Sequence, residues 1–155
     1  MSKELVLADL KGKVGKEDPP GPWLTVDQKR INAFADATDD HQWIHVNPER
    51  AKKESPYGTT IAHGFLTLSL LPHLTGAVSQ GGSGYPGVKL GVNYGLNKVR
   101  FPAPVKVGSR VRTRSKLSEV TEVTGGLQMI REVTVEVEGQ DKPCCVAETI
   151  SRLYF

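Results

Sequence analysis

Disulfides, membrane spans, repeats and strong charge are what this sequence does without. It has two cysteines among 155 residues, and they are neighbours, Cys144 and Cys145. A disulfide between adjacent residues closes a strained ring, so both are expected to be reduced thiols serving as small strand residues, in keeping with a reducing compartment. No apolar run approaches the roughly 18 residues that cross a bilayer, and no membrane partner is expected. Near the start, Glu4 and Asp9 flank the apolar stretch Leu5 to Leu10, too short and too charged for a signal-peptide core, so the cytoplasm is the expected location. A net charge of +3 suits an anionic ligand but is far from the dense basic patch that nucleic acid requires. With no internal repeat or low-complexity segment, a chain of this length fits a single core.

What is present falls into two halves. Residues 1–22 read as an arm, a short amphipathic piece followed by the Gly-, Pro- and charge-rich KGKVGKEDPPGP, and the domain proper is expected over 23–155. Thr25-x-x-Gln28 has capping-box spacing and predicts a helix start, with Ile31, Phe34, Ala35 and Thr38 recurring at helical intervals behind it. Asn47-Pro48 marks a second start. From Ile61 to Val78 the chain is apolar on all sides, predicting a buried helix that Pro72 kinks or divides, and QGGSGYPG then ends it. Beyond Gly87 the pattern is strand-like. Arg110, Arg112, Arg114 and Lys116 alternate on one strand while Glu132, Thr134, Glu136 and Glu138 alternate on another. A phosphate-binding stripe explains the first row alone; a hairpin turning at Thr124-Gly125-Gly126 explains both by cross-strand pairing and is preferred. Helices first and antiparallel strands after make an α+β fold, with a sheet wrapped around a long central apolar helix.

Chemistry concentrates in TDDHQWIHVNP, residues 38–48, which holds two of the 4 histidines and one of the 2 tryptophans. Three readings are open. His41-x-x-x-His45 is a metal-ligand spacing on a helix, although Trp43 and Asn47-Pro48 interrupt a helix and Gln42 stands where a zinc hydrolase has Glu. The histidines can instead be polar loop residues between a helix end and the Asn47 cap. The third reading is acid–base catalysis, with Asp40 and His45 converging on one water. Ala62-His63-Gly64-Phe65 adds a backbone N–H beside a residue without a Cβ, where a developing oxyanion can be stabilised.

These motifs carry a resemblance. Asp40-x-x-x-x-His45 with Pro48 and Ala51 behind it, Ala62-His63-Gly64-Phe65, and Val99-Arg100-Phe101-Pro102-Ala103-Pro104-Val105 with Gly108 resemble the MaoC-like dehydratases. These are the hot-dog-fold (R)-specific enoyl-CoA hydratases, and the likeness is to the single-domain mycobacterial type and its nodulation-protein-N-like relatives, from Trp23 to the C-terminus. The resemblance implies reversible addition of water to a trans-2-enoyl-CoA, with Asp40 and His45 as catalytic pair and the Gly64 N–H on the thioester oxygen. It implies no metal or organic cofactor, an acyl-CoA thioester as partner, and a homodimer. Gln42, Trp43, His63 and Arg100 are candidate substrate contacts. Three positions depart from the family pattern: Asp39 replaces a small residue and is expected to face solvent, Gln42-Trp43 replaces Asn-Pro, and Pro72 replaces a serine. A hot-dog thioesterase and a non-enzymatic acyl-CoA-binding module are the alternative functions.

Overall fold

The alternation read in the second half of the sequence becomes one curled antiparallel sheet. A computed structural model describes residues 2–77 and 84–155. Its strands are β1 (Leu24–Thr25), β2 (Leu90–Arg100), β3 (Arg110–Val123), β4 (Gly126–Val137) and β5 (Cys145–Tyr154), in the order β1-β3-β4-β5-β2 with every neighbouring pair antiparallel. Along β3, Val111, Thr113, Ser115 and Leu117 are buried while the basic residues between them face outward. The register sets Arg112 opposite Glu136 and Lys116 opposite Glu132. Arg112 and Arg114 both reach Glu136, Lys116 lies 3.1 Å from Glu132 and Arg110 3.1 Å from Glu138. The two charged rows neutralise each other across the hairpin, which removes the phosphate stripe as a reading.

The helices lie before the sheet in sequence and largely against its inner face in space. They are α1 (Ser2–Lys13), α2 (Gln28–Thr38), α3 (Trp43–Val46), α4 (Pro48–Glu54), α5 (Gly64–Ser69) and α6 (Leu71–Leu74). α1 buries Val6 and Leu10 against Leu117, Leu127, Met129 and Leu153, forming a second apolar cluster beside the main core. The chain after it runs along β3, Gly15, Asp18 and Gly21 donating to the carbonyls of Leu117, Ser115 and Thr113. The carboxylate of Asp18 accepts from the Ser115 hydroxyl and from Arg131.

Two helix expectations need correction. α2 is capped by Asp27, whose side chain accepts from the Arg30 N–H, and not by Thr25. Thr25 pairs with Arg110 in β1, so its backbone is committed to the sheet. The long central helix expected over 61–78 is two short ones, of 6 and 4 residues, that meet at Leu70. Ile61 and Ala62 are extended, Ala62 donating to the Val105 carbonyl, and Pro72 sits in the first turn of α6, where its missing N–H costs nothing. Burial is not all round either: Phe65 is 67% exposed. The buried side chains Leu66, Leu70, Leu71 and Leu74 still fill the concave side of the sheet with Val111, Val133, Val135 and Ala147. Val78 and the start of the glycine-rich break, residues 78–83, lie outside the described residues. Among the described residues no helix is long and apolar enough to cross a membrane.

Candidate active site

The site is assembled by a turn, a single helical turn and an extended segment. Asp39 ends α2 in the left-handed conformation, φ 59°, with its side chain exposed as the sequence predicts. That reversal brings Asp40 around so that its carboxylate accepts from the Gln42 N–H at 3.3 Å, an Asx turn that leads into α3. α3 then carries His45 inward to 7% exposure. The His45 Nδ1–H donates to the Ile61 carbonyl at 2.7 Å, which leaves Nε2 as the bare nitrogen. From the other side the Gln28 amide donates to the His45 carbonyl at 2.7 Å and accepts from Thr60 at 2.6 Å. Gln28, expected to serve a capping box, thus braces the site.

His63 closes the cluster. It is 2% exposed, and its Nε2–H donates to the main-chain carbonyl of Asp40 at 3.0 Å, 4.0 Å from the carboxylate. Its ring stacks on His45 with centroids 3.8 Å apart and planes 24° apart, and Phe34 packs against it at 4.9 Å. Burial pushes the His45 imidazole below the ordinary histidine range, opposed by its bond to the Ile61 carbonyl; the charge of His63 pushes it further down and Asp40 draws it up. The result is a neutral imidazole at pH 7, able to accept a proton at Nε2.

One atom each of Asp40, His45 and His63 falls within a 4.8 Å group, a spacing compatible with metal binding. One nitrogen of each ring is engaged by a carbonyl, the other is left without a hydrogen bond among the described residues, and the two rings are stacked. The His41–His45 pair does not form, because His41 is exposed and binds Asp36 at 2.9 Å.

Gly64 follows His63 directly and opens α5. Among the described residues nothing accepts from its N–H. A Cβ there would lie 2.9 Å from the Phe101 ring, so any other residue would push that ring outward. Gly64 lines an open cleft of about 270 Å³ with Tyr57, Thr67, Phe101, Pro104 and Cys144. Asp40 and His45 are not among its walls; the cleft meets their cluster through the His63–Gly64 peptide. Of the other sequence candidates, Trp43 is covered by the Arg50 guanidinium at 4.4 Å, Gln42 is exposed, and Arg100 donates to its neighbour's carbonyl, that of Val99. Among the described residues none of these three side chains hydrogen-bonds to or stacks on the histidine pair.

The family model described as MaoC like domain matches residues 11–139. Over 147 residues the chain is 55% identical to 3-hydroxyacyl-thioester dehydratase Z of Mycobacterium tuberculosis, covering 94% of each. The chain belongs to the MaoC-like family. A second relative, Nodulation protein N of Rhizobium leguminosarum bv. viciae, is 50% identical over 157 residues, covering 98% of this chain and 93% of that one. Among solved structures, the (R)-hydratase from A. caviae involved in PHA biosynthesis superposes with a TM-score of 0.70 at 20% identity, over 89% of this chain and 94% of that one. This last likeness concerns the fold, and the MaoC-like chain has the hot-dog half-barrel of helix and curled antiparallel sheet.

Proposed function

We propose that this MaoC-like protein is an (R)-specific enoyl-CoA hydratase of the hydratase 2 type, working in reverse as a (R)-3-hydroxyacyl-CoA dehydratase. The observation that carries the reading is the joining of Asp40, a neutral buried His45 and the Gly64 N–H, unpaired among the described residues, through one residue, His63. The 55% identical relative named as a 3-hydroxyacyl-thioester dehydratase supports the same chemistry. In the hydration direction Asp40 and His45 hold one water and take a proton from it as its oxygen bonds to the β-carbon. The electron pair of the double bond moves through the α-carbon to the thioester oxygen, where the Gly64 N–H meets the developing charge. Return of a proton to the α-carbon restores the carbonyl. The thioester is the electron sink, so the reaction calls for no cofactor.

Two further elements belong to the proposal. The edge strand β2, unpaired on its outer side among the described residues, leaves Leu90, Tyr94 and Leu96 exposed and suits pairing with a second copy in a homodimer. The cytoplasm is the proposed location.

The test is loss of conjugated-thioester absorbance on adding the protein to crotonyl-CoA and to a longer trans-2-enoyl-CoA. Asp40→Asn and His45→Gln are expected to lower turnover by about 10²-fold or more with the fold retained by circular dichroism. Full activity in both variants overturns the assignment. Release of free CoA thiol in place of the (R)-3-hydroxy product would make the protein a thioesterase, and tight binding without turnover an acyl-CoA-binding module.

A further inference from the structure

We infer that His63 is a positioning residue for the reaction proposed above: its Nε2–H fixes the Asp40 peptide and its ring fixes the His45 imidazole, so one side chain sets the acid, the base and the Gly64 N–H relative to one another. The inference rests on the reading of Asp40 and His45 as the catalytic pair.

Packing alone does not explain a histidine here. His63 is 2% exposed, and its Nδ1 has no hydrogen-bond partner among the described residues. Donation to a carbonyl places the proton on Nε2 and leaves Nδ1 a buried bare acceptor, which an apolar ring of similar size would avoid. Nor does its side chain cap a helix: His63 is the N-cap residue of α5 but makes no side-chain bond to it. What the imidazole supplies and an apolar ring does not is the bond to the Asp40 carbonyl. That carbonyl follows directly on the left-handed Asp39, in the turn that aims the carboxylate.

The two stacked rings carry opposite tautomers. His45 is protonated on Nδ1 by its bond to Ile61, His63 on Nε2 by its bond to Asp40. A proton taken up by His45 during turnover is therefore placed on a ring whose centroid lies 3.8 Å from that of His63, with the Asp40 carboxylate as the balancing charge. The groups facing His45 that can titrate are Asp40 from the turn and His63 from the start of α5. α2 contributes Phe34 and Gln28, which carry no charge, and its Asp36 is engaged with His41.

Two variants separate these contributions. His63→Phe keeps a ring for the stack and loses the donor; His63→Gln can restore an N–H to the Asp40 carbonyl and loses the stack. With crotonyl-CoA as substrate, His63→Phe is expected to lower kcat by about ten- to a hundredfold with a much smaller change in KM. His63→Gln should recover most of kcat while the acid limb of its kcat/KM profile moves to higher pH, since the neighbour that repels the His45 proton is gone. Wild-type kcat and an unmoved acid limb in both variants, with Asp40→Asn and His45→Gln inactive, would overturn the inference and leave the catalytic pair standing. Equal losses of melting temperature and activity in both variants, with the limb unmoved, would make His63 a packing residue and overturn it as well. Activity in Asp40→Asn and His45→Gln would instead remove the reading beneath it.

Discussion

The Gly64 N–H is separable from the space around Gly64 by a pair of substitutions. In Gly64→Ala the new Cβ lies 2.9 Å from Cγ and Cδ2 of Phe101 and 3.1 Å from Cε2. Carbon contacts relax at about 3.5–4.0 Å, so the ring must retreat by roughly 0.6–1 Å. Phe101 is 41% exposed and meets Phe65 edge-on at 6.1 Å, so outward room exists and the cost should be about 1 kcal/mol, near the low end for overpacking. At this chain length that corresponds to a fall of about 2–4 °C in Tm. Gly64→Pro adds the same Cβ and deletes the N–H. Gly64 is the first residue of α5, where proline is tolerated, and His63 has φ −62° and ψ 138°, the backbone that precedes proline without strain. The two variants should therefore melt alike and differ in catalysis. Loss of one oxyanion donor costs about 10²–10³ in kcat, and that is the ratio expected between Gly64→Ala and Gly64→Pro in the enoyl-CoA absorbance assay. Binding of a saturated acyl-CoA checks that the proline ring leaves the cleft open. A ratio near unity at matched Tm and matched binding refutes the oxyanion role.

Two further outcomes follow from burial. Burial pushes the Cys144 thiol up to about 12, assisted by Cys145, and the Cys145 thiol to about 11, so neither should react with an aromatic disulfide reagent at pH 8 until the protein is unfolded. Stoichiometric labelling of the native protein would contradict this. The His45 pKa lies lower in the folded than in the unfolded chain, so between the two values the unfolded chain binds more protons. The stability His45 contributes by being buried neutral is then complete above about pH 6.5 and shrinks as pH falls toward the folded value. Denaturant midpoints at pH 5, 6 and 7 should rise with pH, and His45→Gln should flatten part of that slope; an unchanged slope in the variant would place the titration elsewhere.

The parts of the fold legible in the sequence are those set by local periodicity or by a single backbone rule. Alternation along 110–123 and 126–137 specifies which face is charged, and since both rows point outward the hairpin pairs them residue by residue. Asn47-Pro48 is a helix start because the Asn47 side chain accepts from the Arg50 N–H and proline needs no donor of its own. The errors arise where a distant partner claims the backbone. Thr25 has the spacing of a cap, yet Arg110, far along the chain, takes it into β1. The apolar run from Ile61 announces burial correctly but says nothing about backbone form, and the pairing of Ile61 with Lys106 draws the first three residues out of helix. Pro72 then limits what remains.

The candidate site shows the same division at closer range. Asp40 and His45 are recognisable together because they are local: one Asx turn and one helical turn span the four residues between them, and Gln42 enters that geometry through its backbone N–H, whatever its side chain. This explains how the loop accommodates Gln42-Trp43, with the half-buried Trp43 ring under Arg50. The role of His63 is not legible in the sequence, where it is only a candidate substrate contact, because its contacts span 18 and 23 positions, to His45 and to the Asp40 carbonyl, and no spacing rule reaches that far. Gln28, whose amide reaches the His45 carbonyl across 17 positions, was hidden for the same reason and was further disguised by its plausible capping role. A short motif exposes the groups that are neighbours in the chain. The residues that hold those groups still come from elsewhere in the fold, and here both are side chains that brace the backbone of the motif, Gln28 at His45 and His63 at Asp40.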